Sequence, residues 1–155
     1  MNETRAAGEK WIEARRVIGK WIGVCFSIFV IYSMATFSVQ EMRQFSLFLS
    51  FTLALTFVHY PLQKDKPGDA PLFVVDMALA LLSFSIAAYI WIDYWDFIFR
   101  VGIPTRADIF FSILSILLVF ETTRRAVGWP LLIIAIIFLL YSFFGQYLPP
   151  PLSHK

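Results

Sequence analysis

The chain of 155 residues is 59% hydrophobic and only 15% charged, with a net charge of +2. A typical soluble domain is about 45–50% apolar and about 25% charged, so this composition argues against a water-soluble domain and against nucleic-acid binding. Five apolar runs, extended by their flanks, have the length that a helix needs to cross a bilayer core of about 30 Å. They predict an all-α integral membrane protein whose helical bundle covers residues 21–145, with spans at about 21–37, 45–60, 72–92, 105–127 and 129–145.

Residues 1–20 precede the first span and predict an amphipathic helix. Trp11, Ile18 and Trp21 recur at helical spacings on one side, and charged residues such as Arg16 and Lys20 take the other. Such a basic helix can lie on the cytoplasmic membrane surface, in contact with phospholipids. The alternative is that this segment is the solvated beginning of the first span.

Two features of the first span concern small residues. Gly19 and Gly23 form a GxxxG pattern, which allows two helix backbones to approach closely. Cys25 is the only cysteine, so a disulfide within the chain is excluded, and we predict that it is a small buried apolar residue.

The second and third spans each carry an ionisable residue near the inner end. His59 ends the second span, where an interfacial role is the simpler interpretation and proton transfer the alternative. Asp76 lies about one turn inside the third apolar run, where an unpaired carboxylate costs a few kcal/mol. Because Arg124 and Arg125 are predicted at the same membrane face, we predict an ion pair between Asp76 and one of them.

The longest outer loop, residues 93–106, is the predicted docking place for an extracytoplasmic partner. Arg100 precedes a turn that contains Pro104. Thr105 is a predicted N-cap, and Asp108 three residues later completes a pattern similar to a capping box.

The fourth span ends in a charged cluster. Glu121 and Arg125 are four residues apart, which allows an ion pair on one helix face. Arg124 adds a further cation, and Gly128 with Pro130 separates the fourth span from the fifth. The cluster predicts an anchor at the inner interface, with proton transfer as the alternative.

Charge also predicts the orientation. Nine of the 13 Lys and Arg residues fall before the first span, between the second and third, or around the end of the fourth, and four fall in the other gaps. Since cytoplasmic loops are enriched in Lys and Arg, we predict a cytoplasmic N-terminus. Five crossings then place residues 146–155, a Pro-rich tail, outside the cytoplasm.

Catalytic and cofactor patterns are missing from the sequence. It contains no P-loop, GxGxxG or HExxH motif, and His59 and His154 are predicted on opposite membrane faces. Secondary transporters usually have repeated halves and interrupted helices, which these five runs lack. We therefore expect no enzyme, catalytic residue, cofactor or metal, but a scaffold subunit of a larger membrane complex.

Three motifs in the second half carry a family resemblance. They are Pro-Thr-x-x-Asp at 104–108, Glu-x-Thr-Arg-Arg-x-x-Gly at 121–128 and Tyr-x-x-x-Gly at 141–145. Together they resemble the TAXI-type tripartite ATP-independent periplasmic (TRAP) transporters, specifically the N-terminal, small-subunit part of the fused permease. The match covers about residues 72–155. The predicted structural or interface residues are Asp76, Arg100, Pro104, Thr105, Asp108, Glu121, Arg124, Arg125 and Gly128.

The resemblance implies a role and partners. The small subunit would be a static scaffold in the bacterial inner membrane, beside a large subunit that carries the substrate by an elevator motion. A periplasmic TAXI-type binding protein would deliver small carboxylates, and uptake would be a symport with sodium or protons. None of these ligands is expected to bind this chain.

The sequence also departs from the family pattern. Three prolines replace the more usual Pro-Gly at 149–151, and a fifth span follows the four that are common in small subunits. The chain is expected to be a separate subunit or a part of a fused permease. The alternatives are the small subunit of a tripartite tricarboxylate transporter, or a membrane anchor or assembly factor of another complex, such as a respiratory enzyme.

Overall fold

The computed structural model describes residues 2–36, 40–63, 69–100 and 102–144, with side chains from residue 8 onward. These residues form an all-helical structure of six helices, which confirms the predicted all-α fold for this part of the chain. The helices are α1 (Asn2–Thr36), α2 (Glu41–His59), α3 (Ala70–Ile92), α4 (Tyr94–Phe99), α5 (Arg106–Ala126) and α6 (Trp129–Phe144).

Five of these helices correspond to the five apolar runs, and α4 is a short helix that the sequence analysis did not predict. Among the described residues, Gly8–Thr36 and Ala70–Ile92 are long and apolar enough to cross a membrane, whereas the apolar α6 has only 16 residues. These two helices indicate membrane association. The arrangement of five spans stays a prediction.

The N-terminal segment differs from the predicted division at residue 20. α1 continues without a break through 35 residues, about 52 Å at 1.5 Å per residue. The amphipathic residues 1–20 and the first predicted span therefore belong, as far as the structure describes them, to one helix.

α2 is the central helix of the bundle. It packs along α3 and is flanked by α1 and α5. The core contains Leu53, Ala54, Phe57 and Val58 of α2, Ala80 and Ile86 of α3, and Leu118 of α5. Small residues bring α2 and α3 together, since the buried Ser50 hydroxyl donates a hydrogen bond of 2.8 Å to the carbonyl oxygen of Ser83.

The first glycine of the GxxxG pattern, Gly19, lies at a helix contact within the chain. A Cβ at Gly19 would lie 2.8 Å from Cε1 of His59 and 3.1 Å from Cγ1 of Val58, whereas a Cβ at Gly23 would meet nothing within 4 Å. Gly19 therefore permits the close approach of α1 to the end of α2, and Gly23 faces open space.

The outer surface of the bundle is largely apolar. Within α6, all of which the structure describes, only Leu132 is buried, and Phe138 is 68% exposed. Cys25, predicted to be buried, is also exposed, because its side of α1 has no neighbouring helix in the described part. Soluble monomers rarely expose contiguous apolar patches beyond a few hundred Å², so this surface requires lipid or a protein partner.

Candidate functional site

A buried charge cluster connects three helices at one end of the bundle. Asp76, in the second turn of α3, has no exposed surface. Its Oδ2 accepts a hydrogen bond of 2.5 Å from Nη2 of Arg15 in α1, and its Oδ1 accepts one of 2.6 Å from Nη1 of Arg125 in α5. The arginine side chains are only 8% and 3% exposed. Both oxygens of the carboxylate are thus engaged by cations from two other helices.

This geometry confirms one predicted contact and adds another. The ion pair predicted between Asp76 and one of two arginines is present, and Arg125 is the partner. Arg15 was missed as a second partner. The signal was available, since Arg15 follows Trp11 by four residues and precedes Ile18 by three, which places a cation on the apolar face of α1.

The C-terminal end of α2 completes the polar surroundings of the cluster. Arg15 donates to the carbonyl oxygen of Val58, and Arg125 donates to that of Tyr60, both at 3.4 Å. These carbonyls lie in and just after the last turn of α2, where the helix carries partial negative charge. The two arginines therefore connect α2 to the cluster as well.

Aromatic rings cover the two guanidinium groups. The Arg15 guanidinium carbon lies 5.4 Å from the ring centre of Phe73, and that of Arg125 lies 5.0 Å from the ring centre of Phe57. Rings at this distance attract cations through their negative faces. They also keep water away from the ion pairs, which strengthens the attraction.

A second carboxylate continues the cluster along α5. Oε1 of Glu121 accepts hydrogen bonds of 2.7 Å from Nε of Arg125 and from Nη2 of Arg124, and its Oε2 accepts one of 2.8 Å from Nε of Arg124. The predicted pair between residues 121 and 125 is therefore present. Arg124 is 30% exposed and marks the edge of the cluster.

The opposite end of α5 contains the predicted capping box. Thr105 Oγ1 accepts from the backbone N–H of Asp108 at 3.3 Å, and Asp108 Oδ2 accepts from the backbone N–H of Thr105 at 2.6 Å. The Tyr89 hydroxyl, which was not predicted to take part, donates to the other Asp108 oxygen. An Arg100 guanidinium nitrogen lies 3.8 Å from that carboxylate. These contacts fix the beginning of α5 against the end of α3.

Two further predicted residues, Pro104 and Gly128, lie in turns next to α5. Pro104 lies in the loop before α5, two residues after Gly102, which has a φ of 87°. Gly128 has a φ of 106° between α5 and α6, a conformation that favours glycine. The third motif, at 141–145, and the Pro-rich tail lie partly or wholly outside the described residues.

The predicted site residues thus form two separate groups, one at each end of α5. Asp76, Glu121, Arg124 and Arg125 meet at one end, and the residues of the capping box meet at the other. Arg125 is 17 positions after Asp108, which corresponds to about 26 Å along the helix. The first group can hold helices together by charge, and the second can fix a helix end.

Neither group contains an arrangement of metal ligands. Within the described ranges, no group of three or more His, Cys, Asp or Glu side chains is placed to hold a metal ion. The carboxylates are occupied by arginine, tyrosine and backbone donors.

Comparisons with known proteins give no relative. No family model, no curated protein and no solved structure matches this chain.

Proposed function

We propose that this chain is the small scaffold subunit of a TAXI-type TRAP transporter. In this proposal α1, α2, α3, α5 and α6 cross the bacterial inner membrane, with the N-terminus in the cytoplasm and the C-terminus in the periplasm. The chain supports a large elevator subunit and a periplasmic binding protein during uptake of small carboxylates, and it catalyses no reaction itself.

The buried cluster around Asp76 is the observation that carries the proposal. A scaffold has to keep its own helices fixed while a neighbouring subunit moves. Breaking a buried ion pair by removing one partner costs about 3–5 kcal/mol, because the remaining charge is left uncompensated. Asp76, held by Arg15 and Arg125, links α1, α3 and α5 in this way.

The positions of the charges support a membrane crossing by α2 and α5. No charged residue lies between Asp108 and Glu121 in α5, or between Arg43 and His59 in α2. Charged side chains at span ends can extend toward water while the apolar middle stays in lipid. At about 1.5 Å per residue, both helices approach the thickness of a bilayer core of about 30 Å.

The family motifs support the proposed class of transporter. Pro-Thr-x-x-Asp coincides with the capping box of α5, and Glu-x-Thr-Arg-Arg coincides with the charge cluster. The residues of both motifs therefore stabilise the helices of this chain, as the scaffold role requires. The exposed apolar face of α6 offers an area for the large subunit or for lipid.

Purification and transport assays test the role. The chain should be co-expressed with a candidate large permease subunit and a candidate periplasmic binding protein from the same organism, and a tag on this chain should recover the large subunit. Vesicles with the complete complex should take up a carboxylate in response to an ion gradient. Uptake by this chain alone, or recovery of a tricarboxylate-transporter subunit or a respiratory enzyme instead, would overturn the proposal.

Reporter fusions test the orientation. A phosphatase that is active only in the periplasm should be active when fused after Lys155 and inactive when inserted after Lys66. The reverse pattern would contradict the proposed topology.

A further inference from the structure

An open groove follows one side of α1 where this helix meets α2. The α1–α2 groove has a volume of about 660 Å³. Arg16, Lys20 and His59 lie at one end, and the remainder is lined by small and apolar residues that include Gly23, Ser27 and Leu55. The groove therefore combines a basic end with an apolar channel.

The cations at the basic end are available to a ligand. The five ion pairs among the described residues involve neither Arg16 nor Lys20, and both residues are exposed. The two residues are four positions apart, so they lie on one face of α1. The lining of the groove contains no carboxylate that would neutralise them.

The channel beyond these cations is suited to a hydrocarbon chain. A Cβ at Gly23 would meet nothing within 4 Å, so the groove is open at this position. The Ser27 hydroxyl donates to the carbonyl oxygen of Gly23 at 2.9 Å and is thereby satisfied. From Arg16 to Ile31 the lining follows α1 for about 22 Å, more than half the thickness of a bilayer core of about 30 Å.

We infer that the α1–α2 groove binds one anionic phospholipid of the inner leaflet. Its phosphate lies between Arg16 and Lys20, and one acyl chain lies against Gly23 and Ser27. Charge complementarity favours this occupant, because an apolar helix in the same place would bury two unpaired cations. The inference rests on the proposed membrane orientation, which places the basic end at the cytoplasmic face.

The first test removes the charge. The isolated chain in detergent is mixed with phosphatidylglycerol and phosphatidylcholine of identical acyl chains, and bound lipid is counted by native mass spectrometry. Each cation near an anionic surface increases the affinity for it by a factor of about five. The double variant R16Q/K20Q should therefore reduce the preference for phosphatidylglycerol by about 30-fold. The matched control K10Q/R106Q removes two cations that do not line the groove and should keep the preference.

The second test fills the channel. Gly23→Leu leaves the cations intact but places a side chain in the open groove, and it should lower the amount of phosphatidylglycerol that is bound. Ala78→Leu, at an exposed position of α3, is the control for adding the same side chain elsewhere. Melting curves by circular dichroism check that each variant is folded.

Three results would overturn the inference. Full binding by Gly23→Leu would mean that the cations attract lipid without a groove. Competition by glycerol phosphate as strong as that by the lipid would mean that no acyl chain is held. Loss of the large subunit from Gly23→Leu with unchanged lipid binding would make the groove a protein interface. Since lipid binding is measured on the isolated chain, its failure is separable from failure to assemble or transport.

Discussion

Replacing Asp76 by Asn should destabilise the bundle strongly. The substitution keeps the size of the side chain but removes the negative charge between Arg15 and Arg125, which are 8% and 3% exposed. Arg125 keeps Glu121, whose Oε1 lies 2.7 Å from its Nε. Arg15 keeps no carboxylate among the described residues, and its remaining contacts are the Val58 carbonyl at 3.4 Å and the ring of Phe73. Loss of one partner of a buried pair predicts a decrease in the free energy of unfolding of about 3–5 kcal/mol.

Equilibrium unfolding in mixed detergent micelles, followed by circular dichroism, measures this decrease. Asp96→Asn is the matched control, because the same chemical change occurs at an exposed position of α4 and should alter stability by less than about 0.5 kcal/mol. If Asp76→Asn is no less stable than this control, the cluster does not hold the helices together.

A double variant separates the loss of charge from a general loss of packing. Arg15→Leu in the Asp76→Asn background removes the cation that is left without a carboxylate and restores the net charge of the cluster. We expect the double variant to be more stable than the sum of the two single effects, with an interaction energy of about 0.5–3 kcal/mol. Simple additivity would refute the direct pairing of Arg15 with Asp76.

The remaining predictions concern helix contacts, capping and the basic cluster. Gly19→Leu should destabilise the bundle by about 1–3 kcal/mol more than Gly23→Leu in the same unfolding assay, because only the first site is packed against α2; equal effects would contradict this contact. Thr105→Ala should lower stability by about 0.5–2 kcal/mol and speed amide hydrogen exchange in the first turn of α5, while Thr105→Ser should retain both values. Arg125→Ala should reduce the amount of folded protein in the membrane much more than Arg124→Ala, since the first is buried against Asp76 and the second is partly exposed. In the proposed complex, both arginine variants should leave the substrate affinity of the binding protein unchanged; normal complex yield with lost transport would indicate a role in transport itself.

The helices that the sequence predicts best are those with strong local signals. Uninterrupted apolar runs locate five helices, and Gly128 with Pro130 separates α5 from α6 where the structure has a turn. The beginning of α5 is predicted to the residue, because a capping box involves only residues three positions apart. A pair between Asp76 and one of the two arginines was predictable, because the cost of an unpaired buried charge requires a partner; the choice of Arg125 required the structure.

Features that depend on tertiary contacts were less accessible to sequence analysis. α4 has only six residues, too few for a helical period to be recognised, and its Tyr94 is buried beneath the guanidinium of Arg43, 4.1 Å from the ring centre. That contact joins the beginning of α2 to α4. The sequence around either residue contains no local pattern that predicts it. Arg15 was counted only as one of several cytoplasmic cations, because a charge total does not consider which face of a helix each cation occupies.

Residues 15–19 of α1 attach this largely exposed helix to α2 and α3. Helix association in lipid gains little from hydrophobic burial and depends on close packing and polar contacts. α1 supplies both within five residues, through the Arg15–Asp76 pair and the approach of Gly19 to the end of α2. On the same turn, Arg16 and Lys20 point into the α1–α2 groove and not into the cluster. Loss of the Asp76 charge should therefore release α1 before α5, since α5 is still held to α3 by the Tyr89–Asp108 hydrogen bond and to the core by Leu118.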